Sequence, residues 1–70
     1  MSHSYDLAQV GRIVQLQDEM AKVDLGGGTT VYANIALSDG KVGDYVLVHA
    51  GYVLKVLDLD EANRMLSRWR

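Results

Sequence analysis

The sequence predicts a mainly β protein, a small closed barrel of five strands followed by a C-terminal α-helix. Five short runs rich in β-branched residues are separated by glycine or polar turn signals, which is typical of small barrels. The C-terminal residues instead carry apolar side chains at helical spacing. We therefore expect one domain, with an N-terminal lead over residues 1–9, an OB-like β-barrel over 10–57 and a helix over 58–70.

The first two predicted strands, 10–16 and 20–25, show the period-two alternation of half-buried strands. One face of the first strand is expected to carry Val10, Arg12, Val14 and Leu16. The other face would then carry Ile13 and Gln15. In the second strand the apolar face is formed by Ala21, Val23 and Leu25.

Three glycines, 26–28, follow the second strand and predict a hairpin turn, since glycine adopts positive φ without steric cost. The alternative is a phosphate-binding loop, which requires a helix directly after the glycines. Residues 29–35 have the pattern of a strand instead, so the turn is favoured.

Residues 36–43 are predicted to form a loop, with Asp39-Gly40 as its turn signal. Two strands follow, 44–50 and 52–57, and both are nearly continuous apolar runs. We therefore expect little solvent on either face of these strands. Gly51 lies between them, where it would permit a bend.

The predicted C-terminal helix has a start signal at Asp58, with Glu61 three residues later as in a capping box. Its expected apolar face consists of Leu59, Ala62, Met65, Leu66 and Trp69. Such a stripe packs on the barrel or on a partner. Trp69 could belong to the core or could anchor a protein partner.

Composition excludes several kinds of function. The chain has no cysteine, which rules out disulfides, a cysteine-based zinc site and a thiol nucleophile. A net charge of −2 argues against nucleic acid as a partner. No apolar run is long enough to predict membrane insertion. The lack of cysteine fits a cytoplasmic protein, which is the location we expect. No spacing of nucleophile, base and acid points to catalysis, so we do not expect an enzyme.

The most distinctive segment is Gly43-Asp44-Tyr45-Val46-Leu47-Val48-His49-Ala50-Gly51-Tyr52. It resembles the "GD-V-VHAGF" signature of the HypC/HupF family of hydrogenase-maturation chaperones. Weaker similarity to the same family is found at Gly11-Arg12-Ile13-Val14, at Ala21-Lys22-Val23-Asp24 and at Leu57-Asp58-Leu59-Asp60-Glu61-Ala62. The resemblance covers roughly residues 5–69.

This resemblance implies an OB-like barrel that acts as a chaperone on protein partners. The partners it implies are a HypD-like scaffold and the precursor of the [NiFe]-hydrogenase large subunit. It implies no tightly bound cofactor, only transient handling of an iron–cyanide–carbonyl unit. By resemblance, the partner-binding or iron-proximal residues are Asp6, His49, Gly51 and Tyr52.

The sequence departs from the family where a cysteine is expected near the N-terminus. With Gly11 aligned to the family's first-strand glycine, Asp6 takes the place of that cysteine. A thiolate is a soft ligand suited to cyanide-bearing iron, whereas a carboxylate is a hard ligand. The alternative function is therefore a divergent paralogue, a structural or assembly protein without iron handling. His49 is either a hydrogen-bond donor or iron-side ligand near the N-terminal segment, or a strand histidine bonded to backbone carbonyls.

Overall fold

The computed structural model describes residues 8–68, with no account of the side chains of residues 67 and 68. The mainly β fold is confirmed, with five strands and one helix in chain order. They are β1 (Gln9–Gln17), β2 (Met20–Gly26), β3 (Thr29–Asn34), β4 (Tyr45–His49), β5 (Tyr52–Leu57) and α1 (Leu59–Arg68).

The strands close into a barrel in the order β1-β2-β3-β5-β4, with β4 returning to β1. Every neighbouring pair is antiparallel except β3 and β5. Those two strands run parallel and meet at one residue pair, Asn34 and Tyr52. This narrow contact is the closure of the barrel, and it lies at the start of β5.

The prediction for the two faces of β1 is wrong, because a β-bulge interrupts the alternation of that strand. Ile13 pairs with Val23 and Gln15 pairs with Lys22, so Val14 is an extra residue without a partner on β2. The bulge moves Leu16 to the same side as Ile13, because it adds one residue between them. Val14 consequently points outward and is 44% exposed, whereas the alternation had placed it beside Leu16.

The interior of the barrel is filled by small and β-branched side chains. Its buried members are Ile13, Ala21, Val23, Ala33, Val46, Val48 and Val53. Leu16, Leu25, Val31 and Ile35 pack against them. The apolar face predicted for β2 is therefore confirmed as an interior face.

A second cluster lies on the outer face of the barrel, beneath α1. Its buried members are Ala8, Val10, Leu47, Leu57 and Ala62, with Tyr45, Leu54 and Met65 packed beside them. The apolar face with which the helix packs on the barrel is narrower than predicted, because Leu59 and Leu66 are largely exposed. Trp69 lies outside the described residues.

The two apolar strands differ in their surroundings. In β4, Val46 and Val48 face the interior while Leu47 lies under the helix, so both faces are buried as predicted. In β5 the prediction is wrong for Tyr52, Lys55 and Val56, which are exposed. The helix covers β4 and leaves part of β5 open to solvent.

The start of α1 is held by the predicted capping box. The Glu61 N–H donates to Asp58 Oδ1 at 2.7 Å, and the Asp58 N–H donates to Glu61 Oε1 at 3.1 Å. Lys55 Nζ reaches Glu61 Oε2 at 3.2 Å. The hydrogen bond from the Asp58 backbone, followed by that from Lys55, lowers the pKa of Glu61. This carboxylate therefore ties β5 to the helix while it caps the first turn.

The loop between β3 and β4 turns at different residues from those predicted. Its reversals lie at Ala36-Leu37 and Val42-Gly43, whereas Asp39-Gly40 is not in a turn. Gly40 is buried, and a Cβ atom there would lie 2.8 Å from Ile13 Cδ1. Its lack of a side chain allows the loop to cross close to the core. No helix among the described residues has the length and apolarity to cross a membrane.

Candidate functional site

The segment singled out by the sequence forms the hairpin between β4 and β5. His49 ends β4, Tyr52 begins β5, and the two residues are paired across the strands. Ala50 and Gly51 form the two-residue turn, with φ of 53° and 82°. Positive φ at both central residues matches the twist of the strands in tight hairpins. The structure thus brings His49, Gly51 and Tyr52 together at one tip, which we call the β4–β5 tip (residues 49–52).

Asn34 is hydrogen-bonded to the β4–β5 tip and fixes its position. Its N–H donates to Gly51 O at 2.8 Å, and its Oδ1 accepts the Ala36 N–H at 2.7 Å. It is also the β3 residue that pairs with Tyr52. Sequence reasoning missed Asn34 as a supporting residue. The available signal was an asparagine at the end of a strand directly before a turn, since asparagine side chains bond to backbone two residues on.

The His49 imidazole lies on the outer face of β4. Along this strand Val46 and Val48 face the interior, and Tyr45 and Leu47 face outward, so alternation places His49 outward as well. Its Nδ1 atom is buried and meets no hydrogen-bond partner within residues 8–68. Within this part of the chain, therefore, no backbone carbonyl forms the hydrogen bond to Nδ1 that the second interpretation of His49 requires. Buried polar nitrogens are as a rule hydrogen-bonded, so an unpaired one marks a position where a water molecule or another group can bond.

The N-terminal segment approaches the β4–β5 tip along β1. Gln9 pairs with Val48 and Val10 pairs with Leu47, so the same antiparallel register places Ala8 opposite His49. Ala8 is buried in the outer cluster with Leu47. Asp6, the fourth residue implied by resemblance, lies outside the described residues.

The β4–β5 tip has a mixed surface. Ala50 and Gly51 are exposed, and Tyr52 is 44% exposed beside the partly buried His49. Within residues 8–68 no three histidine, aspartate or glutamate side chains are grouped to hold a metal ion. The exposed Tyr52 ring is an aromatic group of the kind enriched in protein interfaces.

Two surface grooves lie away from this tip. One has a volume of about 370 Å³ and is lined by Gln15, Gln17, Asp18, Met20, Lys22 and Tyr32. The other, of about 260 Å³, is lined by Val10, Gly11, Arg12, Asp24, Leu25, Gly26, Tyr45 and Leu66. Neither groove contains a residue of the β4–β5 tip. We therefore place the candidate site at His49, whose Nδ1 has no partner within residues 8–68, and not in the larger of the two grooves.

Three named proteins are similar to this chain over most of its length. Each bears the name hydrogenase maturation factor HypC. The protein from Rhizobium leguminosarum bv. viciae is 46% identical over 52 residues, which are 74% of this chain and 69% of that protein. The protein from Cupriavidus necator is 43% identical over 61 residues, 86% of this chain and 68% of that protein. The protein from Azotobacter chroococcum is 47% identical over 57 residues, 80% of this chain and 68% of that protein.

The profile of one protein family also matches the chain. It is that of the HupF/HypC family, and the match runs over residues 7–69. The match includes the whole barrel, the β4–β5 tip and the helix, and it begins one residue after Asp6. The resemblance seen in the signature of β4 is confirmed, and the chain belongs to the HupF/HypC family.

Proposed function

We propose that this protein is a hydrogenase maturation factor, a chaperone that docks onto protein partners through its β4–β5 tip. Its partners are a HypD-like scaffold protein and the precursor of the [NiFe]-hydrogenase large subunit. It acts in the cytoplasm during assembly of the metallocentre and turns over no substrate of its own. The observation that carries the proposal is the HupF/HypC match over residues 7–69, which spans the β4–β5 tip with its buried His49 Nδ1, unpaired within residues 8–68.

The energetics of that nitrogen favour docking. A buried polar atom without a hydrogen bond costs about 1–3 kcal/mol, and a docking partner removes this cost only if the imidazole turns, since Nδ1 itself is closed off from solvent. The same bond makes recognition selective, because a protein without a group at that position leaves the nitrogen unpaired. Tyr52 lies across the strand pair from His49 and adds an exposed aromatic surface to the same tip.

The test of docking is a binding titration of the wild-type chain and of His49→Phe with purified HypD-class scaffold protein. Phenylalanine keeps a ring of similar shape and removes the nitrogen. We expect the Kd to rise about tenfold, as for a lost buried hydrogen bond, while the melting temperature is kept or raised. Equal affinity of the two proteins, or no binding by the wild type, would count against the proposal. A parallel titration with the large-subunit precursor shows whether the same tip serves both partners.

A second candidate function is favoured by Asp6. In this alternative the protein docks as a structural or assembly subunit but does not carry the iron–cyanide–carbonyl unit. The support is chemical, since a carboxylate is a poor ligand for low-valent iron and residues 1–70 contain no cysteine.

Infrared spectroscopy of protein purified from a hydrogenase-producing host tests this alternative. We expect the wild type to lack the bands of iron-bound cyanide and carbon monoxide. The Asp6→Cys variant, prepared in the same way, is expected to carry them because it regains a thiolate. Such bands on the wild type would show that iron is handled without the cysteine. The docking proposal stands independently of this result.

A further inference from the structure

Ala50 has an unusual backbone conformation for its residue type. Among residues 8–68, φ is positive at Gly26, Gly27, Gly28, Gly43, Gly51, Asp18 and Ala50. Glycine adopts this region freely, and aspartate is enriched there because its side chain can bond to nearby backbone. Ala50 has neither property, so its conformation is strained.

The hairpin between β2 and β3 gives an internal comparison. Its two-residue turn is Gly27-Gly28, with φ of 62° and 83°, against 53° and 82° for Ala50-Gly51. The two turns therefore share one φ pattern, that of a type I′ turn, for which Asn-Gly and Gly-Gly are the favoured pairs. The Gly27-Gly28 turn is therefore free of strain, whereas the Ala50-Gly51 turn contains a strained residue.

Packing within the chain does not compensate for this strain. Ala50 is exposed, and so is Gly51 beside it. The methyl group consequently buries little surface against the barrel. Its two sequence neighbours in the β4–β5 tip are His49, whose buried Nδ1 has no partner within residues 8–68, and the turn glycine that precedes Tyr52.

We propose that Ala50 is a specificity-determining residue for the protein partner, an inference that rests on the proposed function. Its methyl group enters a shallow apolar pocket on the partner. The side chain is small enough to let the partner reach the exposed Tyr52 ring at the same time. The strained turn is retained because glycine would lose the methyl contact and asparagine would hold the partner away.

Three variants test this inference, with the HypD-class scaffold protein as the probe. Ala50→Asn supplies the residue preferred in the turn, and we expect it to raise the melting temperature by roughly 4–8 °C. The same change is expected to raise the Kd for the scaffold at least tenfold. Ala50→Gly removes only the methyl group and is expected to raise the Kd about fourfold. Gly27→Asn is the matched control, because it puts asparagine at the same position of the other hairpin; its Kd should equal that of the wild type.

The outcomes separate this inference from the function on which it rests. Stabilised Ala50→Asn protein that binds the scaffold as tightly as the wild type would overturn the role of Ala50 while leaving docking intact. An unchanged or lower melting temperature of Ala50→Asn would show that the backbone conformation of Ala50 is not strained. A wild-type chain that does not bind the scaffold would remove the proposed function itself.

Discussion

Replacing Tyr52 by alanine is expected to raise the Kd for the HypD-class scaffold about 30-fold, which corresponds to about 2 kcal/mol of binding free energy. Aromatic side chains dominate protein interfaces because they bury a large apolar area at low entropic cost. Tyr52 is 44% exposed in the free chain, and it lies opposite His49 at the β4–β5 tip. Isothermal titration of the two proteins measures the change directly.

Tyr32 provides the control for this experiment. It is also an exposed tyrosine, at 65%, but it lies on β3 opposite Lys22 and outside the β4–β5 tip. Tyr32→Ala deletes the same atoms and should leave the Kd within about twofold of the wild type, as expected for a residue outside an interface. If Tyr32→Ala weakens binding more than Tyr52→Ala, the docking surface is the outer face of β3 and the assignment to the hairpin is wrong.

Local patterns in the sequence were sufficient to predict the elements whose structure is decided locally. The alternation of Ala21, Val23 and Leu25 predicted the interior face of β2, because period-two burial needs no knowledge of distant residues. The capping box of Asp58 and Glu61 is likewise set by residues three positions apart. Both predictions are confirmed for that reason.

Features that depend on contacts distant in the sequence could not be read in this way. The bulge at Val14 is defined by its pairing with β2, and nothing in the residue itself marks it. Gly40 resembled a turn residue but is needed for close approach to Ile13, which lies 27 positions earlier. The closure of the barrel at Asn34 and Tyr52 joins strands that are not neighbours in the chain.

The candidate site shows the same division. Its place in the chain was predicted from the signature around His49, and a bend at Gly51 between two strands was predicted from local turn chemistry. Two properties that give it chemical meaning needed coordinates. One is the burial of the His49 nitrogen without a partner in residues 8–68, and the other is the positive φ of Ala50. Burial and strain depend on the assembled barrel, so a residue pattern does not contain them.

Replacing Ile13 by alanine is expected to destabilise the fold by about 3 kcal/mol. Ile13 is fully buried, and its Cδ1 atom lies where a Cβ of Gly40 would clash. Its backbone N–H donates to Asp44 O at 2.9 Å, and its carbonyl accepts the Gly43 N–H at 2.8 Å. The side chain therefore fills the interior at the point where the β3–β4 loop crosses it. Its loss leaves a cavity that the hydrogen-bonded loop cannot easily collapse.

Urea unfolding of Ile13→Ala and of Val14→Ala gives a direct comparison. Val14 is adjacent in the same bulge but is 44% exposed, so its truncation should cost less than about 1 kcal/mol. A loss of about 3 kcal/mol is a large part of the stability of so small a domain. Equal midpoints for the two variants would mean that Ile13 does not hold the core together.

The same variant separates folding from docking. Ile13 points into the barrel and His49 points outward, so the β4–β5 tip keeps its surface as long as the barrel is folded. At a temperature where Ile13→Ala remains mostly folded, its Kd for the scaffold should match the wild type once corrected for the folded fraction. Tyr52→Ala should show the opposite behaviour, with a normal midpoint and weak binding. If each of the two variants lost both stability and scaffold binding, the docking surface could not be separated from the barrel core. That result would contradict the assignment of docking to the β4–β5 tip, because a surface contact and a core contact would then have the same effect.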